Sequence, residues 1–170
     1  STAPVNEGTL NASTATTKLF GNLENRGNAS YGTLEIGNTG SYANLGKDKG
    51  NILTIGEGAE FYNEGTSEWN SVSVNKGLFE NKGQMTVANL TVKDAIFNVT
   101  GGLFKATNAE LTGTSVVVGN NSVLRTASDN AYSKAEFAKV SELNNPYFVK
   151  EDGDLGFGAN SLDFAESIGA

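Results

Sequence analysis

The chain has 170 residues, a formal charge of −7, and neither cysteine nor histidine. That excludes disulfides, thiolate metal sites, Ser-His-Asp triads and histidine proton shuttles, and it removes the usual zinc ligand. The acidic balance, with no Lys/Arg cluster, argues against nucleic acid and anionic membranes as partners, and no apolar run is long enough to cross a bilayer.

Ser1-Thr-Ala-Pro4 carries no signal-peptide pattern and leads straight into Asn6-Glu-Gly8, as expected of a processed N-terminus or a piece of a longer chain. An Asn-x-Gly then recurs as Asn25-Arg-Gly27, Asn44-Leu-Gly46, Asn63-Glu-Gly65 and Asn81-Lys-Gly83, continuing without Asn as Val99-Thr-Gly101 and Val117-Val-Gly119. The glycines are spaced by 19, 19, 19, 18, 18 and 18 residues. Leu23, Tyr42, Phe61, Phe79 and Phe97 each stand two residues before this mark. Leu34-x-Ile36, Leu53-x-Ile55, Val72-x-Val74 and Leu90-x-Val92 keep the same beat. A fixed period of this length belongs to stacked repeats.

An apolar-x-apolar pair puts both side chains on one face of a strand, whereas a helix would hold them about 200° apart. Eighteen or nineteen residues make two or three short strands with corners, which is one turn of a parallel β-helix. Turns stacked at about 4.8 Å give a rod on the order of 30 Å long. At the corner, Gly is expected to supply positive φ, and Asn25, Asn44, Asn63 and Asn81 to bond to one another as a ladder.

Taken in order, residues 1–19 form a weak first turn, with Ala15 and Thr17 where Leu-x-Ile should stand. The clear repeats span 20–101, and a third short strand is expected through the variable stretches, most visibly at Met85-x-Val87. Ala109-x-Leu111 and Val116-x-Val118 continue the series, and Val123-Leu124 begins a last turn. The solenoid is thus assigned to 1–128, and 129–170 to a capping or inserted segment. There Ser133-Lys-Ala-Glu136 reads as a capping box opening a helix over about 133–143. A hairpin of Tyr147–Val149 and Leu155–Phe157 turns at Glu151-Asp-Gly-Asp154, and a weakly helical tail runs from Ser161 to Ile168.

The residues show no catalytic set. At the repeat period Glu60 stacks on Ser41 and Leu78, so adjacent turns offer no carboxylate pair for glycoside chemistry. No cofactor is expected. Asp152 and Asp154 are weak calcium candidates, lacking the alternating spacing of a calcium loop. Tyr62, Glu64, Glu68 and Trp69 form a candidate outer-face ligand patch, although Trp69 equally fits as filler of the core's third side, the reading favoured here.

The phrase Leu53-Thr-Ile-Gly-Glu-Gly-Ala-Glu-Phe-Tyr-Asn-Glu-Gly65, repeated with drift over residues 6–124, resembles passenger domains of bacterial autotransporters and filamentous-haemagglutinin-like exoproteins. The resemblance implies a right-handed parallel β-helix, displayed on the cell surface or secreted. It implies adhesion, as binding surface or stalk. The partners would be a host surface protein or glycan, or the same protein on another cell, with no membrane insertion by this segment. A glycan-active enzyme or tailspike-like glycan binder is the competing expectation. An ice-binding solenoid is disfavoured because outer positions lack Thr-x-Thr rungs.

Overall fold

The computed structural model describes residues 4–119, 122–126, 134–136, 148–150 and 153–154. Each turn has a short strand, an Asn-x-Gly corner and a long strand. The short strands are β1 (Val5–Asn6), β3 (Asn22–Asn25), β5 (Ser41–Asn44), β7 (Glu60–Asn63), β9 (Leu78–Asn81) and β11 (Ile96–Val99). The long strands are β2 (Thr9–Leu19), β4 (Asn28–Ile36), β6 (Lys47–Ile55), β8 (Thr66–Asn75), β10 (Gln84–Lys93) and β12 (Leu103–Val118). These twelve strands pair in parallel, in the orders β1-β3-β5-β7-β9-β11-β12 and β2-β4-β6-β8-β10-β12. The result is a β-solenoid of about six turns repeating every ~19 residues. No helix occurs among the described residues.

The long strand supplies two of the three sides. In β4 the buried residues are Ala29 and Tyr31, then Leu34 and Ile36, so the inward parity flips between them and the chain turns a corner there. The strand expected through the variable stretches is the first half of these long strands, and Met85 and Val87 are both buried. Inward side chains line up in columns. Leu34, Leu53, Val72 and Leu90 are one, in direct register and all buried. Tyr42, Phe61, Phe79 and Phe97 are another, their rings stacked at 5.7, 5.3 and 4.6 Å.

The asparagine ladder forms as expected. Asn6, Asn25, Asn44 and Asn63 each donate from Nδ2 to the next Asn Oδ1 at 2.8 Å, ending on Asn81. Asn25, Asn44, Asn63 and Asn81 are fully buried. The corner glycine, however, has a different reason from the one expected. Gly27, Gly46, Gly65 and Gly83 do not have positive φ. A Cβ on any of them would collide with the carbonyl oxygen of the corner glycine one turn earlier. Close backbone approach, and not left-handed geometry, selects Gly here.

Four register assignments shift. The first turn places Thr17 and Leu19, in place of Ala15 and Thr17, against Leu34 and Ile36. Two extra residues between Ala12 and Thr16 cause the slip, and the next corner is two residues shorter, so the turn still totals 19. The ladder position after Val99 is Val118, not Val117. The glycine stacked on Gly83 is Gly102, with φ +60, not Gly101, because that corner gained one residue when its Asn was lost. In the hairpin, β16 (Gly153–Asp154), expected as part of the turn, pairs antiparallel with β15 (Phe148–Lys150), and Leu155–Phe157 lie outside the described residues. The hairpin itself is present, with a tighter turn.

The anticipated helix fails where it is described. Lys134–Glu136 is strand β14, paired in parallel with β12. A helix must close a costly first turn, whereas the edge of β12 offers ready backbone donors and acceptors. The rest of 133–143 and the tail 161–168 lie outside the described residues. Val123 and Leu124 do begin a further turn as β13 (Val123–Thr126), which pairs with β12 and β15.

Candidate functional site

Of the outer-face patch, the structure brings two members together. Tyr62 OH donates to Glu64 Oε2 at 3.2 Å, and Lys82 Nζ lies 5.8 Å from the centre of the Tyr62 ring. Lys82 also pairs with Glu80 at 3.7 Å, and Thr100 Oγ1 donates to the same Glu80 at 2.9 Å. Partial desolvation, then the Glu64 charge, pushes the Tyr62 hydroxyl pKa upward. Glu68 sits on a different side of the rod, exposed, in register between Lys49 and Thr86. Trp69 turns into the core, 2% exposed, and meets the surface beside Glu68 only in the lining of a groove. This is the core-filling alternative, and strand parity requires it, since Trp69 falls in the inward column of Tyr31, Gly50 and Val87.

Gly50 makes room for that indole, because a Cβ there would run into the Trp69 ring. With Gly50 bare, Tyr31 and Trp69, two turns apart, meet and stack at 5.8 Å. Trp69 Nε1 donates to Ser67 Oγ at 2.9 Å. Tyr31 OH reaches Tyr42 OH at 3.4 Å, and Tyr42 OH donates to Asp48 Oδ2 at 3.0 Å. Asp48 is 4% exposed, and its Oδ1 has no hydrogen-bond partner. Burial therefore pushes its carboxyl up to about 6, while the polar groups of Ser67, Tyr42 and Trp69 favour the charged form and limit the rise. Burial, followed by the nearby Asp48, raises the Tyr42 hydroxyl far above its usual range, and burial first raises Tyr31 as well.

This cluster was not anticipated. Asp48 lies in the variable stretch after Gly46, but it stands 19 residues after Ala29 and 19 before Ser67, in an inward column. Extending the period of two back from Trp69 through the repeat would have turned Asp48 inward. Above the cluster, on the outside of the bend, a groove of about 550 Å³ is lined by Tyr31, Gly50, Trp69, Lys49, Glu68 and Asn70, among others. Asn70 Nδ2 donates to Asn51 Oδ1 at 3.1 Å along this bend, as Asn108 does to Asn89.

Glu60 does stack on Ser41 and Leu78, as the period implied. No three Asp or Glu residues gather to hold a metal among the described residues. Asp152 lies outside them, and Asp154 contributes to β16. Comparisons with protein-family models, with curated proteins and with solved structures each found no match. Nothing among them points to an enzyme.

Proposed function

We propose that this chain is a surface-displayed or secreted bacterial β-solenoid passenger module that acts in adhesion, as a binding surface or a stalk. The observation that supports this is the contrast between its inside and its outside. Several inward columns keep one residue character for turn after turn, as in Tyr42, Phe61, Phe79 and Phe97. Most outward columns change from rung to rung, as in Ser41, Glu60 and Leu78, or Ser30, Lys49, Glu68 and Thr86, although an exposed asparagine recurs at 51, 70, 89 and 108. A stack held from within leaves its faces free to vary for contact. The partner class is a host surface protein or glycan, or the same module on a neighbouring cell.

The test is display of the chain on non-adherent bacteria, scored for attachment to host cells, to glycan and matrix arrays, and to one another. Attachment of any of these kinds above undisplayed controls is expected, and its absence on all three overturns the binding-surface role and leaves the stalk. The groove beside Lys49 and Glu68 supports a second reading, a glycan-active protein. Release of new reducing ends from a polysaccharide panel would establish that one instead.

A further inference from the structure

The most unusual group inside the rod is Asp48. A carboxyl in a packed core is normally held by a cation or by several donors, because an unpaired buried charge is costly. Here one oxygen has a single donor, Tyr42, and the other has none. The titratable and polar groups that face it are Tyr31 from β4, Tyr42 from β5, and Ser67 and Trp69 from β8. Lys47 and Lys49 on its own strand and Glu68 on β8 are exposed on the outside, and Glu35 of β4 lies on another side of the coil. Among the described residues no ion pair to this carboxylate is formed. Ser67 Oγ already accepts the indole N–H, so its own hydroxyl proton is free to be directed elsewhere.

We propose that Asp48 is a proton-operated latch in the core of the coil. With a hydrogen on its carboxyl it ties β5, β6 and β8 together; without one it loosens them beneath the groove. The protonated acid has both a donor and an acceptor to offer, and so completes the polar cluster with Tyr42 and Ser67. The carboxylate keeps a buried charge that Tyr42 and the Ser67 hydroxyl offset only in part, and it draws water toward it. Tyr31 and Trp69 line the groove and belong to the same polar and ring cluster as this carboxyl, so the latch sets how firmly the groove floor is held.

The direction follows from linkage. The folded-state pKa of about 6 lies above the ordinary 3.8. The stability tied to the proton is therefore full below the ordinary value and is lost as pH climbs through the folded one. Across that window the folding equilibrium of the natural chain should fall about a hundredfold relative to Asp48→Asn, which carries no titrating group there. The chain contains a single Trp, so indole emission reports this cluster directly.

The experiment is a fluorescence titration from about pH 3.5 to about pH 8, alongside urea melts at both ends of that range. Trp69 emission is expected to titrate with a midpoint near 6, with Asp48→Asn flat and ahead of the natural chain in stability only at the upper pH. Tyr42→Phe removes the hydroxyl that donates to Asp48 Oδ2 and should move the midpoint upward. A flat natural titration overturns the latch, as does an Asp48→Asn profile that still titrates. If Asp48→Asn fails to fold, the natural chain and Tyr42→Phe decide the matter between them.

Discussion

At the Asn-x-Gly corner two residue types meet two separate demands. Gly65 brings its backbone against the Gly46 carbonyl, leaving no room for a methyl group. Gly65→Ala should therefore cost about 1–3 kcal/mol through forced backbone movement, read as a lower urea midpoint with an unchanged slope. Asn63 both accepts from Asn44 and donates to Asn81, and it also donates to the Gln84 carbonyl at 3.2 Å. Asn63→Ala leaves a buried donor on one side and a buried acceptor on the other. Each unmet group costs about 1–3 kcal/mol, so the loss should exceed that of Gly65→Ala in the same melts. Among the ring stack, Phe79 is enclosed on all sides by Phe61, Phe97 and Phe104. Phe79→Ala should cost about 3–5 kcal/mol, enough to leave the chain unfolded at moderate temperature.

Among the elements, strands are rigid in register and corners are not. From Ile55 to Glu60 the chain takes five steps, but from Val74 to Leu78 only four, with Lys76 at φ 57 absorbing the tighter turn. That lost residue is the change in period from 19 to 18. One Gly inserted after Asn38 should therefore leave the circular dichroism spectrum unchanged and the melting temperature nearly so. One inserted after Leu53 would reverse every inward side chain downstream in β6 and abolish cooperative melting. The same distinction decides what was legible in the sequence. The columns through Leu53, Phe61 and Asn63 were readable because identical chemistry recurs at one spacing. Thr17, Gly102 and Val118 were misplaced by a residue or two because insertions fall at corners, where composition gives no marker. Lys134–Glu136 was misread because a local capping signal says nothing of the strand edge waiting beside it. Asp48 escapes a reading of the sequence, and Trp69 fits both surface and core, for another reason: their columns mix Ala, Asp, Ser and Met, or Tyr, Gly, Trp and Val, so volume is balanced between turns instead of within each one.

For the whole molecule, each turn rests on its two neighbours, so stability is a sum of local interfaces. Strand β2 has a partner on one side only and ends the pairing order, and its residues are mostly exposed or half-buried. Hydrogen exchange should be fastest there and slowest in β6 and β8, which are paired on both sides; equal protection throughout would mean the rod opens as one unit. The ion pairs Lys18–Glu35, Arg26–Glu24 and Lys82–Glu80 each have an exposed cation and join adjacent strands or a strand to its own corner, so raising salt should shift the melting midpoint little. The carboxamide column adds a sense of direction that the parallel strands alone do not have. Every amide hands its hydrogen onward along the chain, so the column has two unlike tips. At Asn81 the last hydrogen is taken up by the carbonyls of Gly83 and Leu103. At Asn6 the first oxygen has no donor among the described residues. The column is sealed at its far tip and receptive at its near one, so another coil could be seated there only the same way round, offering an amide hydrogen to that vacant lone pair.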